Sequence, residues 1–260
     1  MTGTASPSVV IGTSGWDYPE WVGPVYPSRG VDDRLAYYAS RLFSAVEVNS
    51  TFYRLPPVSV ARSWVRRTPP GFRFAAKFPR TITHDLKLRD ADAELRRFLD
   101  VLAPLREADR FVAALLQLPP SLAFDAETAR AFYASLPRDL PVAVEFREPS
   151  WLSEASFALL REHGLAFVVV DEPKLPARLA VTAPFAYVRF HGHGRPLWYD
   201  YTYTDQELAP WVERVRTLAT EAPRGVYVFF NNHFRGDAVR NGRSFARQLG
   251  VPTARAPTLD

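Results

Sequence analysis

Side chains that can transfer protons or hold anions recur along the chain at the ends of short apolar segments. In the stretch VEVNSTFY (46–53), Glu47 and Asn49 alternate with valines, and an isolated buried carboxylate is costly unless it is paired or solvated. Because side chains alternate between the two faces of a strand, Glu47 and Asn49 share one face. The polar residues in corresponding places are Ser14, Glu47, Asn49, Lys77, Gln117, Glu145, Arg147, Asp171, Arg189, His191, Asn231 and Asn232.

These residue types favour acid/base chemistry on a small anionic ligand, a phosphate or carboxylate, or on a sugar-like one. Arginine matches phosphate and carboxylate oxygens with paired hydrogen bonds, so we expect Lys77, Arg147 and Arg189 to bind an anion. Carboxylates near cations can be tuned for proton transfer. The candidate catalytic residues are Glu47, Lys77, Glu145, Asp171 and His191. A single Glu–Arg pair usually indicates architecture, whereas polar ends on seven or eight strands indicate a site.

A divalent metal is one alternative. Glu145, Asp171 and His191 lie on consecutive predicted strands and offer oxygen and imidazole ligands, as in a metal-dependent hydrolase or isomerase. Arg147 and Arg189 share the faces of these residues and would repel a cation. We therefore predict no cofactor and keep a divalent metal as the alternative.

Two further alternatives use the same residues differently. A desolvated lysine can form a Schiff base, and Lys77 is the candidate. A non-catalytic protein could instead bind a nucleotide or a nucleic acid through arginines and aromatic rings. The net charge of +4 is modest, and the basic residues are mixed with acidic ones along the chain. Nucleic acid is therefore the less favoured partner.

Aromatic side chains cluster in the segments that follow the polar ends. Trp16 and Tyr18 follow the apolar segment that ends at Ser14, and Tyr53 follows the one that ends at Asn49. Tyr201 lies in the long glycine-flanked loop at 192–204. Aromatic rings stack on sugars or bases and exclude water. We expect these four side chains to contribute to ligand binding, and the loop to act as a lid.

Eight β-rich segments precede the polar ends and must position them. They lie at 9–14, 44–49, 73–78, 111–118, 141–146, 165–171, 185–191 and 225–231. Helical patterns fall between them, at 32–43, 58–68, 90–108, 125–136, 151–164, 205–220 and within 235–249. Most strands are apolar on both faces, as in a sheet covered by helices. This alternation predicts an α/β fold, an eightfold barrel of the triosephosphate-isomerase (TIM) type, with an open doubly wound sheet as the alternative.

The connection after the sixth strand departs from the regular pattern. The segment EPKLPARLAVTAP is broken by prolines, so we predict that the helix there is short or missing. The predicted organisation is a disordered or extended N-terminus at 1–8, a single barrel domain at 9–250, and a C-terminal tail at 251–260. The polar residues would then meet at the C-terminal mouth of the barrel, where barrel enzymes hold their active sites.

The composition indicates which cellular compartment to expect. The chain has 260 residues and no cysteine, which excludes disulfides, thiolate metal sites and cysteine nucleophiles. No apolar run approaches the roughly 20 residues that a membrane helix needs, and the first residues do not read as a secretory signal. We expect a cytoplasmic protein that has no membrane partner.

Several motifs in order give the chain a family resemblance. They are GTSGWDYPEWVGPVYP (12–27), VEVNSTFYRLPP (46–57), FAAKFPRTITH (74–84), LLQLPPS (115–121), AVEFREPSW (143–151), YVRFHG (187–192) and YVFFNN (227–232), followed by Gly236, Ala238 and Asn241. Through these motifs the chain resembles the YecE-like proteins, domain of unknown function number seventy-two. The resemblance implies a TIM-type barrel and no particular reaction. It adds His84 and Asn241 to the candidate ligand-binding residues.

Overall fold

A computed structural model of the chain describes residues 9–28 and 30–254. The predicted N-terminal segment at 1–8 and the last six residues of the predicted tail, 255–260, lie outside the described residues. None of the described helices is both long and apolar enough to cross a membrane.

Eight parallel strands form a closed barrel in which each strand pairs with the next and the eighth pairs with the first. The strands are β1 (Val9–Ser14), β2 (Ala45–Val48), β3 (Arg73–Lys77), β4 (Phe111–Gln117), β5 (Val142–Glu145), β6 (Ala166–Asp171), β7 (Ala186–Phe190) and β8 (Val226–Phe230). The predicted eightfold barrel is confirmed, and every predicted strand is present at its predicted place. The open-sheet alternative is wrong, because β8 returns to β1 over five residue pairs.

Helices connect most of the strands. Within the described residues they are α1 (Arg34–Arg41), α2 (Ser50–Tyr53), α3 (Val58–Arg66), α4 (Asp92–Glu107), α5 (Ala126–Ser135), α6 (Glu154–Glu162), α7 (Asp205–Glu221) and α8 (Asp237–Leu249). No helix lies between β6 and β7, which confirms the prediction for that connection. The sequence patterns missed the one-turn α2 and the π-helical turn Thr81–Asp85, both of which lie just after a strand.

Local capping explains where several helices begin. The Asp33 carboxylate accepts a hydrogen bond from the Ala36 backbone N–H at 2.9 Å, and α1 starts at the next residue after Asp33. Thr204 and Glu207 form a reciprocal capping box at the start of α7. These interactions satisfy backbone N–H groups that have no partner inside the helix.

Two apolar layers fill the molecule and leave one end of the barrel polar. One layer lies between strands and helices, and includes the stacked rings of Phe190 and Phe230 with centroids 4.6 Å apart. The other lies inside the barrel and combines alanines with the larger side chains of Leu115, Phe185, Tyr187 and Phe229. Because this apolar layer fills the barrel interior, we expect a ligand to enter at the polar C-terminal ends of the strands.

Gly12 lets β1 approach β2 at the barrel wall. A Cβ atom at this position would collide with the Ala45 carbonyl group and lie 3.1 Å from the Phe229 ring. We expect Gly12→Ala to lower the free energy of unfolding by about 1–3 kcal/mol, because the barrel strands must shift to admit the methyl group. Chemical denaturation of the variant measures this loss, and a free energy equal to that of the wild type would contradict the close approach.

Candidate functional site

A buried ion cluster crosses the barrel axis at the base of its C-terminal mouth. Arg189 on β7 donates to Glu47 on β2 through Nη2 at 2.6 Å and to Glu145 on β5 through Nη1 at 2.6 Å. All three side chains are at most 2% exposed. Since neither carboxylate could be buried alone, this one guanidinium holds opposite walls of the barrel together.

The remaining carboxylate oxygens of the cluster are also occupied. Glu47 accepts hydrogen bonds from the Ser14 hydroxyl at 2.6 Å and the Tyr187 hydroxyl at 2.7 Å. Ser14 and Glu47 face each other because the β1–β2 register pairs them directly. Glu145 forms a second ion pair with Arg147.

The arginines keep Glu145 ionised. Burial on its own would raise the pKa of Glu145, but Arg147 and Arg189 outweigh burial and hold the pKa well below its usual range. Neither Glu47 nor Glu145 lines the cavity described below. Together with Arg189 they form the floor of the mouth, and their catalytic roles stay predictions.

Above the floor lies a cavity of about 460 Å³, a volume typical of small-molecule sites. Nine of the sequence-predicted residues line it: Tyr18, Asn49, Tyr53, Lys77, Gln117, Arg147, Arg189, His191 and Asn231. Seven residues that the sequence reasoning did not select complete the lining: Phe52, Pro120, Glu172, Lys174, Trp198, Tyr199 and His233. The structure thus gathers residues from all eight strand ends or the loops that follow them.

Lys77 is a buried cation with a neutral partner. Its Nζ donates to Gln117 Oε1 at 2.7 Å and lies 4.1 Å from the centroid of the Phe52 ring. Among the described residues it forms no ion pair with a carboxylate, unlike Arg147 and Arg189. Burial first, and then the charge of Arg189, lower the pKa of Lys77 to about 8.

His191 is held as a neutral imidazole beside the two arginines. Burial first, and then the Arg147 charge, lower the pKa of His191 to about 3. Its Nε2 lies 2.8 Å from an Arg147 nitrogen, and its Nδ1 lies 3.0 Å from the Asn231 amide nitrogen. Because Nε2 faces a guanidinium, it acts as the hydrogen-bond acceptor there. His191 therefore orients Arg147 toward the cavity.

Glu172 is the acidic side chain that lines the cavity, and sequence reasoning selected its neighbour Asp171 instead. Asp171 lies on the outer face of β6 and pairs with His193 at 3.0 Å. The alternation along β6 offered the correct signal, since Ala166, Val168 and therefore Glu172 share the inner face.

The Glu172 carboxylate is buried beside a cation without a strong partner. Its nearest cationic atom is Arg147 Nη1, at 3.6 Å. Within the described part of the chain neither oxygen makes a hydrogen bond of normal geometry. Burial raises the pKa of Glu172, and Arg147 offsets this rise only in part. A carboxyl group whose pKa is raised holds its proton to a higher pH than an ordinary carboxyl group does.

Besides Glu47 and Glu145, seven predicted ligand-binding or catalytic residues do not line the cavity. They are Ser14, Trp16, His84, Asp171, Tyr201, Asn232 and Asn241. Trp16 lies edge-on to Trp64 of α3, at 6.1 Å between centroids. His84 lies 2.7 Å from the Thr83 hydroxyl. Tyr201 donates to Glu207 of the α7 capping box. These contacts support the walls and the loop around the mouth.

Asn241, also predicted to bind ligand, anchors the loop after β7 instead. Its side-chain oxygen accepts from the Tyr203 backbone N–H at 3.0 Å, and its amide nitrogen donates to the Tyr203 carbonyl at 2.7 Å. Asn232 donates to Asn241 at 2.8 Å and to the Tyr201 carbonyl at 2.9 Å. The pair of asparagines therefore fixes the C-terminal end of the loop at 192–204.

Aromatic rings form one wall of the cavity. Tyr18 and Tyr199 both stack on His233, with centroids 4.3 and 5.3 Å away. Trp198, from the loop at 192–204, lies 5.6 Å from the Arg147 guanidinium and 5.0 Å from Lys174 Nζ. The loop thus contributes part of the wall, and its predicted motion as a lid stays a prediction.

The three alternative metal ligands are not assembled into one group. Glu145 is shared between two arginines, and Asp171 points to His193 rather than to His191. Across residues 9–28 and 30–254, no group of three or more His, Asp or Glu side chains is arranged to hold a metal ion.

The fold and the mouth together define a TIM-type barrel with a charged, aromatic-walled cavity at its C-terminal end. Residues 10–259 match the family described as "Protein of unknown function DUF72", and the chain belongs to this family. The resemblance that the sequence motifs indicate is thereby confirmed.

Individual relatives agree with this assignment. The chain is 28% identical over 274 residues to the UPF0759 protein YunF of Bacillus subtilis, covering 94% of this chain and 95% of that protein. It is 28% identical over 233 residues to the UPF0759 protein YecE of Escherichia coli, covering 80% of each. The crystal structure of a DUF72 family protein from Thermotoga maritima is similar with a TM-score of 0.86 and 37% identity, covering 93% of this chain and 99% of that chain.

The ion cluster predicts a large effect for Arg189→Met. Removing the guanidinium leaves two buried carboxylates without their shared partner, and we expect a loss of about 3–5 kcal/mol in the free energy of unfolding at neutral pH. The exposed pair of Arg216 and Glu213 offers a matched control, because Arg216→Met should change the free energy by about 0.5 kcal/mol or less. Urea denaturation of both variants measures the difference.

The loss in Arg189→Met should also depend on pH. In the wild type the pKa of Glu145 is depressed, so its stabilisation is present above the ordinary carboxyl pKa and is lost as pH falls through the folded-state value. In the variant Glu145 loses this support and its folded-state pKa rises. The deficit should therefore be largest at neutral pH and smaller near about pH 5. An equal deficit at both pH values would contradict the electrostatic origin of the effect.

Proposed function

We propose that the protein is an enzyme that binds a small anionic ligand in the barrel mouth and exchanges a proton with it. The observation that carries the proposal is Lys77, a buried cation on the cavity wall whose partner is the neutral amide of Gln117. A buried charge normally has a counter-ion. An anionic group on the ligand would provide one.

The charges around the cavity support an anion. The floor is balanced, because two arginines, Arg147 and Arg189, face two carboxylates, Glu47 and Glu145. Above the floor the cavity lining adds two lysines, Lys77 and Lys174, against the single carboxyl of Glu172. Four cations against three carboxyl groups leave an excess of one positive charge, and of two if Glu172 is protonated. A phosphate or a carboxylate complements this excess.

Two side chains with shifted pKa values in the same cavity support proton exchange with the ligand. With a pKa of about 8, Lys77 can give up or accept a proton near neutral pH, which an ordinary lysine does poorly. Glu172, whose pKa is raised by burial, is a second proton carrier in the lining. Perturbed pKa values in a cleft favour an enzyme over a passive binding protein.

The aromatic wall favours a ligand that also carries an apolar or sugar-like face. Tyr53 at the cavity rim is 82% exposed, which leaves its ring free to stack on a ligand. Trp198 and Tyr199 offer further ring surfaces from the loop at 192–204. Rings of this kind stack on sugar faces and exclude water from polar contacts.

The test is calorimetric titration of the protein with inorganic phosphate, sulfate and small carboxylic acids, with neutral sugars for comparison. We expect the anions to bind and Lys77→Gln to weaken them roughly tenfold or more, because a charged hydrogen bond is lost. Lys87 lies outside the cavity lining, so Lys87→Gln is the matched control and should bind as the wild type does.

Binding of sulfate and of the carboxylates, whose own charges do not change near neutral pH, should also weaken as pH rises. Protonated Lys77 provides the counter-charge, and this charge is lost as pH passes through about 8, or through a somewhat higher value once an anion has bound. In Lys77→Gln this pH dependence should disappear. Anion affinities that are equal in Lys77→Gln and the wild type would contradict the proposal. Salt-sensitive binding of an oligonucleotide but of none of the small anions would favour the nucleic-acid alternative.

A further inference from the structure

We infer that Lys77 forms an imine with its ligand, so that the ligand class is a small anionic aldehyde or ketone. This inference rests on the proposed function, because the same cavity must first hold the anionic group. It goes further in naming the reacting atom of the protein, Lys77 Nζ, and the reacting carbon of the ligand, a carbonyl carbon.

The hydrogen bonds around Lys77 suit a nucleophile. Gln117 donates its own amide nitrogen to the Leu118 carbonyl at 2.7 Å, which fixes the amide oxygen toward Lys77 Nζ. An amide oxygen orients an amine without retaining its proton as a carboxylate would. Phe52 covers another side of Nζ at 4.1 Å, so the remaining open side is the cavity.

The two arginines of the barrel mouth differ from Lys77, because each of them pairs with a carboxylate. Arg189 pairs with Glu47 and Glu145, and Arg147 pairs with Glu145 and lies 3.6 Å from Glu172. Lys77 pairs with none of these carboxylates, and burial together with Arg189 lowers its pKa from 10.5 to about 8. The fraction of neutral amine at neutral pH is therefore roughly 300 times that of an ordinary lysine. A neutral amine is the form that attacks a carbonyl carbon.

The chemical step balances within the cavity. The lone pair of Lys77 Nζ forms a bond to the carbonyl carbon, the carbonyl electron pair moves to oxygen, and a proton passes from nitrogen to that oxygen to give a carbinolamine. Glu172 in its protonated form donates a proton to the departing hydroxyl, which leaves as water while the nitrogen lone pair forms the C=N bond, and this gives a protonated imine and the Glu172 carboxylate. Return of the N–H proton to Glu172 gives the neutral imine. The net reaction then joins one amine and one carbonyl compound to give one imine and one water, and no oxidant or reductant is needed.

The other cations then hold the anionic group of the carbonyl compound. Arg147 and Lys174 line the same cavity, and Trp198 lies against both of them. Once protonated, the imine withdraws electrons from the neighbouring carbon atoms. It can thereby activate an adjacent C–H or C–C bond, and a proton carrier such as Glu172 can serve that step.

The sequence makes the inference simple to test, because the chain contains only three lysines: Lys77, Lys87 and Lys174. The full-length protein is incubated with pyruvate, glyoxylate, glyceraldehyde 3-phosphate or dihydroxyacetone phosphate, and with neutral glyceraldehyde and acetone for comparison. Sodium cyanoborohydride reduces any imine to a stable amine, and mass spectrometry of the intact chain and its peptides locates the adduct. We expect one adduct per chain, at Lys77, formed at least tenfold faster than any adduct at Lys87 or Lys174.

Anionic carbonyl compounds should label Lys77 at least tenfold faster than their neutral counterparts, and inorganic phosphate should slow the labelling. Lys77→Arg should abolish the adduct, and its circular dichroism and thermal unfolding show whether the variant is folded. Glu172→Gln keeps the lysine and should slow labelling about tenfold while phosphate still binds. Lys87→Arg is the matched control and should be labelled as the wild type is.

The outcomes separate this inference from the proposed function. Anions that bind in calorimetry, together with no adduct at Lys77 from any of the probes, would overturn the inference and leave the proposed function standing. Equal labelling of all three lysines would also overturn it. An adduct at Lys77 that forms as fast with acetone as with pyruvate would support the nucleophile but contradict an anionic ligand, and with it the proposed function.

Discussion

The structure depends first on a single buried ion cluster. Arg189 bridges Glu47 and Glu145 across the barrel axis, and all three side chains are almost completely excluded from water. Each charge alone would be very costly to bury, whereas together, with Ser14 and Tyr187 donating to Glu47, they are satisfied. The cluster closes the axis and separates the apolar lower barrel from the open mouth.

The chemistry of the mouth is a consequence of this closure. Because Arg189 and Arg147 take the available carboxylates, Lys77 is left with Gln117 as a neutral partner and Glu172 is left without a strong one. The two groups whose protonation is adjustable are therefore those that line the cavity. In the proposed function, the arginines provide positive charge, and the lysine and the glutamate exchange protons with the ligand. The proposal of a catalytic cavity rests on this division of roles.

Much of the fold could be predicted from the sequence, and so could part of the site. The eight strands, the barrel and the missing helix after β6 follow from apolar runs, spacing and prolines, which are local signals. The short α2 was missed because four residues are too few to show a helical period. The inner-face candidates Lys77, Gln117 and Arg147 lie in the cavity as expected, whereas Asp171 and Asn232 lie on outer faces. Strict alternation from the buried residues of β6 would have selected Glu172.

The sequence by itself determined which side chains stand at the strand ends and which of them share a face, because the alternation of a strand is a local property of the backbone. Only the tertiary structure decided which partners they acquire. Glu47 meets Arg189 over 142 residues of chain, and Lys77 meets Gln117 over 40. The partners and the burial of a carboxylate determine whether it closes the barrel axis or can exchange a proton. The partners and the burial arise only when the barrel closes, because desolvation and charge pairing act through space rather than along the chain.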